Sequence, residues 1–174
     1  MGSVKHPNIV KFYEAYAHPQ EETIVIITEY CEKGSIGSLA RKACENDNKI
    51  MDFLINNLRA IVVQLAFALK ELADYEVTHK AISIECIHCN ADGHVKLGNF
   101  SMASLLEEND QEPPEDLKYC PPEILKGKIW STKGDLWTLG LFIYEMLFFD
   151  HPFLEVEDDE ELLAKKIMNG EIGY

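Results

Sequence analysis

The chain of 174 residues is 47% hydrophobic and 26% charged, which is typical of one globular domain with a core and excludes a disordered protein. Its formal net charge of −14 argues against a nucleic-acid-binding protein; it permits a basic protein partner or serves solubility alone. The most apolar run, residues 136–149, is too short to span a bilayer and carries Glu145, so we expect no membrane segment.

Two strands are predicted near the start of the chain, at residues 9–16 and 23–30, and the second is rich in β-branched residues. Because only a short polar segment separates them, we expect an antiparallel hairpin. Residues 33–35 end the second strand, and Ser35 is a suitable N-cap for a short helix that runs through residues 39–43.

A long amphipathic helix is predicted to begin at Asp52, which also suits the N-cap position. Its apolar residues recur at steps of three and four, so they share one face. These residues are Leu54, Leu58, Ile61, Leu65, Leu69 and Leu72. Further along, Asp92-Gly93 separates two short apolar runs, residues 85–90 and 94–97, which predicts a second hairpin.

The first strand of that hairpin contains a C-x-x-C pair, Cys86 and Cys89. One pair does not make a structural zinc site, which takes four ligands, and on a strand the two side chains would point to opposite faces. We therefore expect no metal there. The opening residues do not resemble a secretory signal, so five cysteines indicate free thiols in an intracellular compartment, which we expect to be the cytoplasm.

The second half begins with a loop, residues 101–117, that is rich in Glu, Asp and Pro. A short helix is predicted at 123–125, then a strongly apolar helix at 135–149 that we expect to be buried on all sides. The last predicted helix spans residues 157–168 with Leu162, Leu163 and Ile167 on its apolar side, and Gly170 ends it.

The segment from residue 77 to residue 100 resembles the catalytic core of the eukaryotic protein kinases, in which a loop H-R-D-L-x-x-x-N precedes a D-F-G sequence. Further kinase-like motifs follow in the family's order, and the details look most like the NIMA-related serine/threonine kinases. The motifs are H-P-N-I-V at 6–10, E-Y-C at 29–31, V-K-L-G at 95–98, P-P-E at 121–123, D-L-W-T-L-G at 135–140 and H-P-F at 151–153.

The resemblance implies that the chemical positions of the family are altered here. Ala81 replaces the loop Asp that accepts the substrate proton, and Ser83 replaces a Lys found in many members. Cys86 and Asn99 replace the Asn and Asp that hold magnesium, an ion that prefers hard oxygen ligands. We therefore expect no intact catalytic residue, no metal and no cofactor; ATP and magnesium would apply only if the chain were an active kinase.

The resemblance also implies which residues are structural. Phe12, His79 and Phe100 are expected to stack in the core with Asp135 below them. Glu123 is expected to be buried without the Arg that pairs with it in the family, at a cost of about 3–5 kcal/mol.

Glu29 and Cys31 occupy the hinge that holds adenine in the family, with Thr28 before them. Their alternative role is that of a simple connector between two lobes.

We predict an α/β fold of the protein-kinase type, with residues 1–31 forming a hairpin remnant of the small lobe. Residues 32–174 form a mainly helical large lobe that ends before the family's last helices. The expected function is that of an inactive, pseudokinase-like module that binds a protein partner, or is completed by another chain, around the acidic loop and last helix. The alternatives are a NIMA-related serine/threonine kinase and a truncated product without function.

Overall fold

The computed structural model describes residues 4–18, 23–46, 52, 54–105, 113–114, 116–153 and 159–172. Its strands are β1 (Phe12–His18), β2 (Thr23–Thr28), β3 (Gly34–Ser35), β4 (Val77–Thr78), β5 (Ile87–Cys89), β6 (Val95–Leu97) and β7 (Ser104–Leu105). Its helices are α1 (Ile36–Asn46), α2 (Leu58–Asp74), α3 (Pro122–Leu125), α4 (Thr132–Phe148) and α5 (Glu160–Asn169), and 3₁₀ turns occupy Phe100–Met102 and Leu117–Tyr119.

The first hairpin is antiparallel, as predicted, but β1 begins at Phe12 rather than at residue 9. The residues before β1 pair with β6 instead. Ile9 forms a parallel bridge with Leu97, and the Val10 N–H donates to the Leu97 carbonyl at 2.8 Å. This pairing joins the hairpin to β6. The bridge therefore fixes where the hairpin lies over the rest of the domain.

The other strands form a three-stranded sheet in the order β3-β5-β6 and a two-stranded pair of β4 with β7. β5 and β6 are antiparallel around the predicted Asp-Gly turn, where Gly93 has a φ of 84° that suits glycine. The strand is shorter than predicted, and Cys86 lies in the turn before it. The prediction that Cys86 and Cys89 share a strand is therefore wrong, although both are buried.

The main core is built on α2, and the sequence periodicity correctly predicts its buried face. Ser35 caps α1 as predicted, because its hydroxyl accepts a hydrogen bond from the Ser38 N–H at 3.0 Å. Asp52 is itself helical, and the chain makes a turn at Asn57 before α2 begins. The buried residues of the predicted face are Leu54, Leu58, Ile61, Leu65, Leu69 and Leu72.

Helix α4 is not buried on all sides, contrary to the prediction. Leu139 and Phe142 are buried, whereas Leu136 is 57% exposed and Phe148 is also 57% exposed. An apolar helix can carry an exposed stripe, and its composition alone does not show which side is covered. Only one face of α4 is therefore buried.

Asp159 caps helix α5, because its carboxylate accepts from the Leu162 N–H at 3.0 Å, and Gly170, with a φ of 70°, ends the helix as predicted. Residues 157 and 158 of the predicted helix lie outside the described residues. Leu163 and Ile167 are buried, but Leu162 is 41% exposed.

The predicted architecture, a small antiparallel hairpin followed by a mainly helical remainder, is observed, while the division at residue 31 stays a prediction. Within the described ranges, no helix combines the length and apolarity needed to cross a membrane.

Candidate functional site

Asp135 anchors the backbone segment at residues 79–80. It lies in the first turn of α4, is 3% exposed, and accepts backbone hydrogen bonds from the N–H groups of His79 (2.9 Å) and Lys80 (2.8 Å). Burial raises the pKa of Asp135 to about 6, although these N–H donors and the Lys80 charge favour the carboxylate. The contact fixes the backbone of residues 79–80, where Lys80 has a φ of 68°.

His79 is a buried structural residue in this arrangement. Its Nε2–H donates to the Gly98 carbonyl at 2.8 Å, and its ring lies 4.9 Å from that of Phe100. Burial lowers the pKa of His79 to about 4, so the imidazole is neutral. Phe12 makes no ring contact with either residue in the described part of the chain; it lines the adjacent cavity beside Phe100. The predicted stack thus contains two rings, not three.

Ala81, Ser83, Cys86 and Asn99 come together in one small cluster. The Cys86 thiol donates to the Ala81 carbonyl at 3.0 Å and lies 3.5 Å from the Ser83 hydroxyl. The Asn99 Nδ2 donates to the same sulfur at 3.7 Å. All of these groups are uncharged, and each finds a partner inside the cluster.

The nearest acidic residue along the chain, Glu85, is bound elsewhere. It forms a salt bridge with Arg41 of α1 and accepts from the Ser35 hydroxyl at 2.9 Å. The hydrogen bond from Arg41 is the main cause of a lowered pKa for Glu85. Across the residues that the structure describes, no three His, Cys, Asp or Glu side chains are grouped so as to hold a metal ion.

A cavity of about 630 Å³ lies between the first hairpin and the β5-β6 hairpin, and both predicted hinge residues line it. The Glu29 carboxylate binds Lys96 Nζ at 3.0 Å and the Lys11 N–H at 3.1 Å. Burial favours a higher pKa for Glu29, but these hydrogen bonds and the Lys96 and Lys11 charges outweigh it and lower the pKa overall. Burial also raises the pKa of the Cys31 thiol.

Part of the backbone of the predicted hinge already forms hydrogen bonds. The Glu29 N–H donates to the Lys11 carbonyl at 2.8 Å, and the Cys31 carbonyl accepts from the Gly34 N–H at 3.0 Å. The Glu29 carbonyl and the Cys31 N–H have no backbone partner among residues 4–18, 23–46 and 54–105. An acceptor and a donor are therefore available on one wall of the cavity.

Comparison with known proteins decides the family, because the protein kinase domain model matches residues 1–171. The chain belongs to the protein kinase domain family. It is 29% identical over 173 residues to serine/threonine-protein kinase Nek1 of Mus musculus, covering 96% of this chain and 14% of that protein.

It is also 29% identical to serine/threonine-protein kinase Nek2 of Homo sapiens, covering 96% of this chain and 38% of that protein. Mitogen-activated protein kinase kinase kinase 4 of Mus musculus is 26% identical and is covered over 10% of its length. The chain thus spans well under half of these relatives.

Within this kinase domain, Glu123 of the P-P-E motif departs from expectation. Glu123 is half-buried rather than buried. Its unpaired carboxylate therefore destabilises the fold by less than was predicted for a fully buried charge. The described residues supply no salt bridge to its side chain. Lys80, at the position of the loop Arg, instead places Nζ 5.5 Å from the centre of the buried Trp130 ring.

Sequence reasoning missed His88 as a residue of the kinase-domain cavity. Ile87 and Cys89 are buried on one face of β5, so strand alternation directs His88 to the opposite face. That face lines the cavity. The available signal was the alternation along β5, in which His88 lies between Ile87 and Cys89. The two cysteines of the C-x-x-C pair drew attention away from it.

Proposed function

We propose that this kinase domain is catalytically inactive and acts by binding another protein. The observation that carries the proposal is the uncharged cluster at the chemical positions, in which Cys86 binds Ala81 and Asn99 binds Cys86. Phosphoryl transfer depends on a positioned base and on metal ions that neutralise developing charge. The methyl group of Ala81 cannot act as a base, and the thiol of Cys86 and the neutral amide of Asn99 do not provide an anionic metal site.

The chemistry of the replacements points the same way. Magnesium prefers oxygen ligands in octahedral geometry and is usually held by carboxylates, whereas Cys86 offers sulfur and Asn99 offers a neutral oxygen. The Cys86 thiol is already hydrogen-bonded and only 3% exposed. A metal would have to displace these contacts without gaining an anionic ligand in return.

The binding role is supported by apolar side chains on the surface. Ile24 is 74% exposed and Ile26 is 61% exposed, and because they lie two residues apart on β2 they share one face of the first hairpin. Such side chains, when grouped, mark surfaces that bind proteins. The predicted acidic binding loop falls mainly at residues 106–112 and 115, outside the described residues.

A phosphoryl-transfer assay tests the inactive state. The chain is incubated with radiolabelled ATP, magnesium and generic protein substrates, beside the triple variant Ala81→Asp, Cys86→Asn, Asn99→Asp, which restores the family residues. We expect no transfer from the wild-type chain above the heat-denatured control. Transfer by the wild-type chain that is lost in an Asn99→Ala variant would refute the proposal.

The second candidate is a weakly active serine/threonine kinase that uses ATP and magnesium. It is favoured by the retained frame, namely the Asp135 contacts and the available hinge groups beside the cavity. The same assay separates the two, because this candidate requires metal-dependent transfer from the wild-type chain.

A pull-down with quantified binding tests the protein-binding role. The wild-type chain is compared with a variant in which Glu107, Glu108 and Glu112 are changed to Lys, and with Asp74→Lys as a single-charge control at the exposed end of α2. A partner that binds the wild type and the control but not the loop variant supports the role. Equal capture by all three proteins would remove the acidic loop from the proposal.

A further inference from the structure

One side of α4 carries an apolar surface that the described residues leave open to solvent. Leu136 is 57% exposed and Leu147 is 49% exposed, and Gly140 between them is also exposed. Together with the partly exposed Tyr144 they recur at steps of three and four residues, so they share one face of the helix. We call this face the α4 stripe, and it consists of Leu136, Gly140, Tyr144 and Leu147.

Two aromatic side chains adjoin the α4 stripe at the C-terminal end of the helix. Phe148 is 57% exposed, and its ring lies 4.4 Å from that of Tyr144. Phe149 is also exposed and has a φ of 56°, a conformation that bulky residues seldom adopt. A run of three exposed apolar residues, 147–149, is unfavourable on a free surface and is typical of a surface that binds another protein.

Gly140 lies at the centre of the α4 stripe, where it allows another helix to approach closely. A Cβ atom placed on Gly140 would find open space, with no neighbouring atom within 4 Å outside the backbone of its own helix. Packing within one copy of the described chain therefore does not require glycine there, although glycine lowers the stability of a helix interior. A second helix that crosses at Gly140 can approach to about 8 Å and contact the apolar residues on both sides.

The charges at the two ends of α4 are complementary to those of an antiparallel copy. Lys133 is exposed in the first turn, and Asp150 is exposed just after the last turn. Each charge has the sign that the helix macrodipole disfavours at its end, and neither forms a salt bridge within the described ranges. A twofold axis at Gly140 would place Lys133 of one copy within about one helical turn of Asp150 of the other, at both ends of the contact.

We propose that the α4 stripe binds the α4 stripe of a second copy of this chain, antiparallel about a twofold axis near Gly140. A helix of 17 residues offers a contact about 25 Å long, less than a standard interface, and the net charge of −14 on each copy opposes association. We therefore expect a Kd of roughly 10–100 µM, so that the chain is a monomer with Leu136 exposed near about 1 µM. The inference goes beyond the proposed function, because self-association does not depend on catalytic inactivity.

Sedimentation equilibrium of the 174-residue chain between about 1 and 300 µM tests the proposal. We expect a monomer–dimer equilibrium, which Leu136→Gln and Gly140→Gln weaken about tenfold or more. Gly140→Gln occupies the open space at the crossing and favours the helix, so its thermal melt should not fall. The matched control is Phe67→Gln, which removes a similarly exposed apolar side chain from α2 and should leave association unchanged.

Lys133→Glu and Asp150→Lys test the antiparallel arrangement. Each variant alone places like charges at both ends of its homodimer, so each should associate about tenfold more weakly than wild type. Mixed in equal amounts, the two variants should form a heterodimer in which both contacts again join opposite charges. If the mixture associates no better than either variant alone, and both variants melt like wild type, this geometry is excluded.

The remaining outcomes separate this inference from the proposed function. A wild-type chain that stays monomeric over the whole concentration range overturns the inference, and so does equal weakening by Phe67→Gln. A monomer that instead binds an unrelated protein through Leu136 assigns the α4 stripe to that protein and refutes self-association. None of these results changes the phosphoryl-transfer result, and transfer by the wild-type chain would refute the proposed function even where the dimer forms.

Discussion

The side-chain amide of Asn99 donates to the thiol of Cys86, with Nδ2 3.7 Å from Sγ. These are the two positions at which kinases hold metal, and here they contact each other. Asn99 has a φ of 55°, a left-handed conformation that Asn and Asp adopt more readily than other side chains. The backbone at this position is therefore compatible with an Asp.

The double variant Cys86→Asn, Asn99→Asp is expected to gain a divalent-cation site. The new carboxylate supplies charge and hard oxygen ligands where the wild type has neither. Magnesium at a hundredfold excess over Kd would raise the free energy of unfolding by about 2.7 kcal/mol in the variant, with no change in the wild type. Chemical denaturation with magnesium and with EDTA measures this difference.

The control is Asn169→Asp, an exposed position that adds the same charge far from the cluster. It should not respond to magnesium. An equal magnesium response in the wild type and the double variant would contradict the prediction.

Asp135→Asn is expected to lower the free energy of unfolding at pH 7.5 by about 1–3 kcal/mol, because its amide NH₂ cannot accept from both backbone donors. The pH dependence follows from burial, which raises the pKa of Asp135 to about 6. A raised folded-state pKa gives stability that is present below about pH 3.8 and lost as the pH rises through 6. The difference between wild type and variant should therefore widen as the pH is lowered from 7.5 to 5.

Urea unfolding of both proteins at the two pH values measures this effect. Thr138→Ala, a nearby buried position on the same helix, controls for general loss of packing. A gap between wild type and Asp135→Asn that narrows at pH 5 would show that the sign of the Asp135 shift is wrong.

His79 should make the domain acid-sensitive. Its pKa is lowered by burial to about 4 from an ordinary 6.5, so its contribution is complete above pH 6.5 and is lost as the pH falls toward 4. At pH 5 the loss is about 2 kcal/mol for a shift of this size. His79→Gln can still donate to the Gly98 carbonyl but does not titrate, so its stability should depend less on pH.

Stability curves between pH 7.5 and 5 for wild type, His79→Gln and the exposed-turn variant His94→Gln measure the contribution. The slopes of wild type and His94→Gln should agree. If His79→Gln showed the same slope as both, the acid sensitivity would have another origin.

Helix α4 offers a matched pair of leucines one turn apart. Leu139 is 6% exposed and Leu136 is 57% exposed. Leu139→Ala should cost about 2–5 kcal/mol of unfolding free energy, while Leu136→Ala should change it by less than about 0.5 kcal/mol. Guanidinium denaturation measures both, and similar losses for the two variants would mean that the Leu136 face is covered in solution.

Local patterns predicted several elements because their causes are local. The steps of three and four residues from Leu58 to Leu72 specify the buried face of α2, and Asp92-Gly93 specifies a turn. Gly170 and the Ser35 hydroxyl end and begin helices through contacts within a few residues. Each of these signals lies within one turn or one hairpin.

Long-range pairing explains what the sequence did not reveal. The two-residue strands β4 and β7 pair Val77 with Leu105, and no run of two residues shows a period. Ile9 leaves the predicted first strand because Leu97, far along the chain, offers it a partner. The exposed side of α4 likewise depends on which elements pack against it.

At the candidate site, residue identity predicted the loss of charge but not the contacts that replace it. A thiol at residue 86 and an amide at residue 99 indicate a missing metal site, yet their hydrogen bond depends on the left-handed backbone at Asn99. His88 was missed because its role depends on strand orientation rather than on residue type.

The close approach of His88 to Gly98 links the two positions in evolution. A Cβ atom at residue 98 would lie 2.9 Å from both His88 Cδ2 and Val10 Cγ2, so any larger residue there needs the imidazole to move. A descendant of this sequence that gained a side chain at 98 would therefore be expected to carry a different residue at 88. Related sequences should vary at these two sites together, and an imidazole at one should accompany glycine at the other.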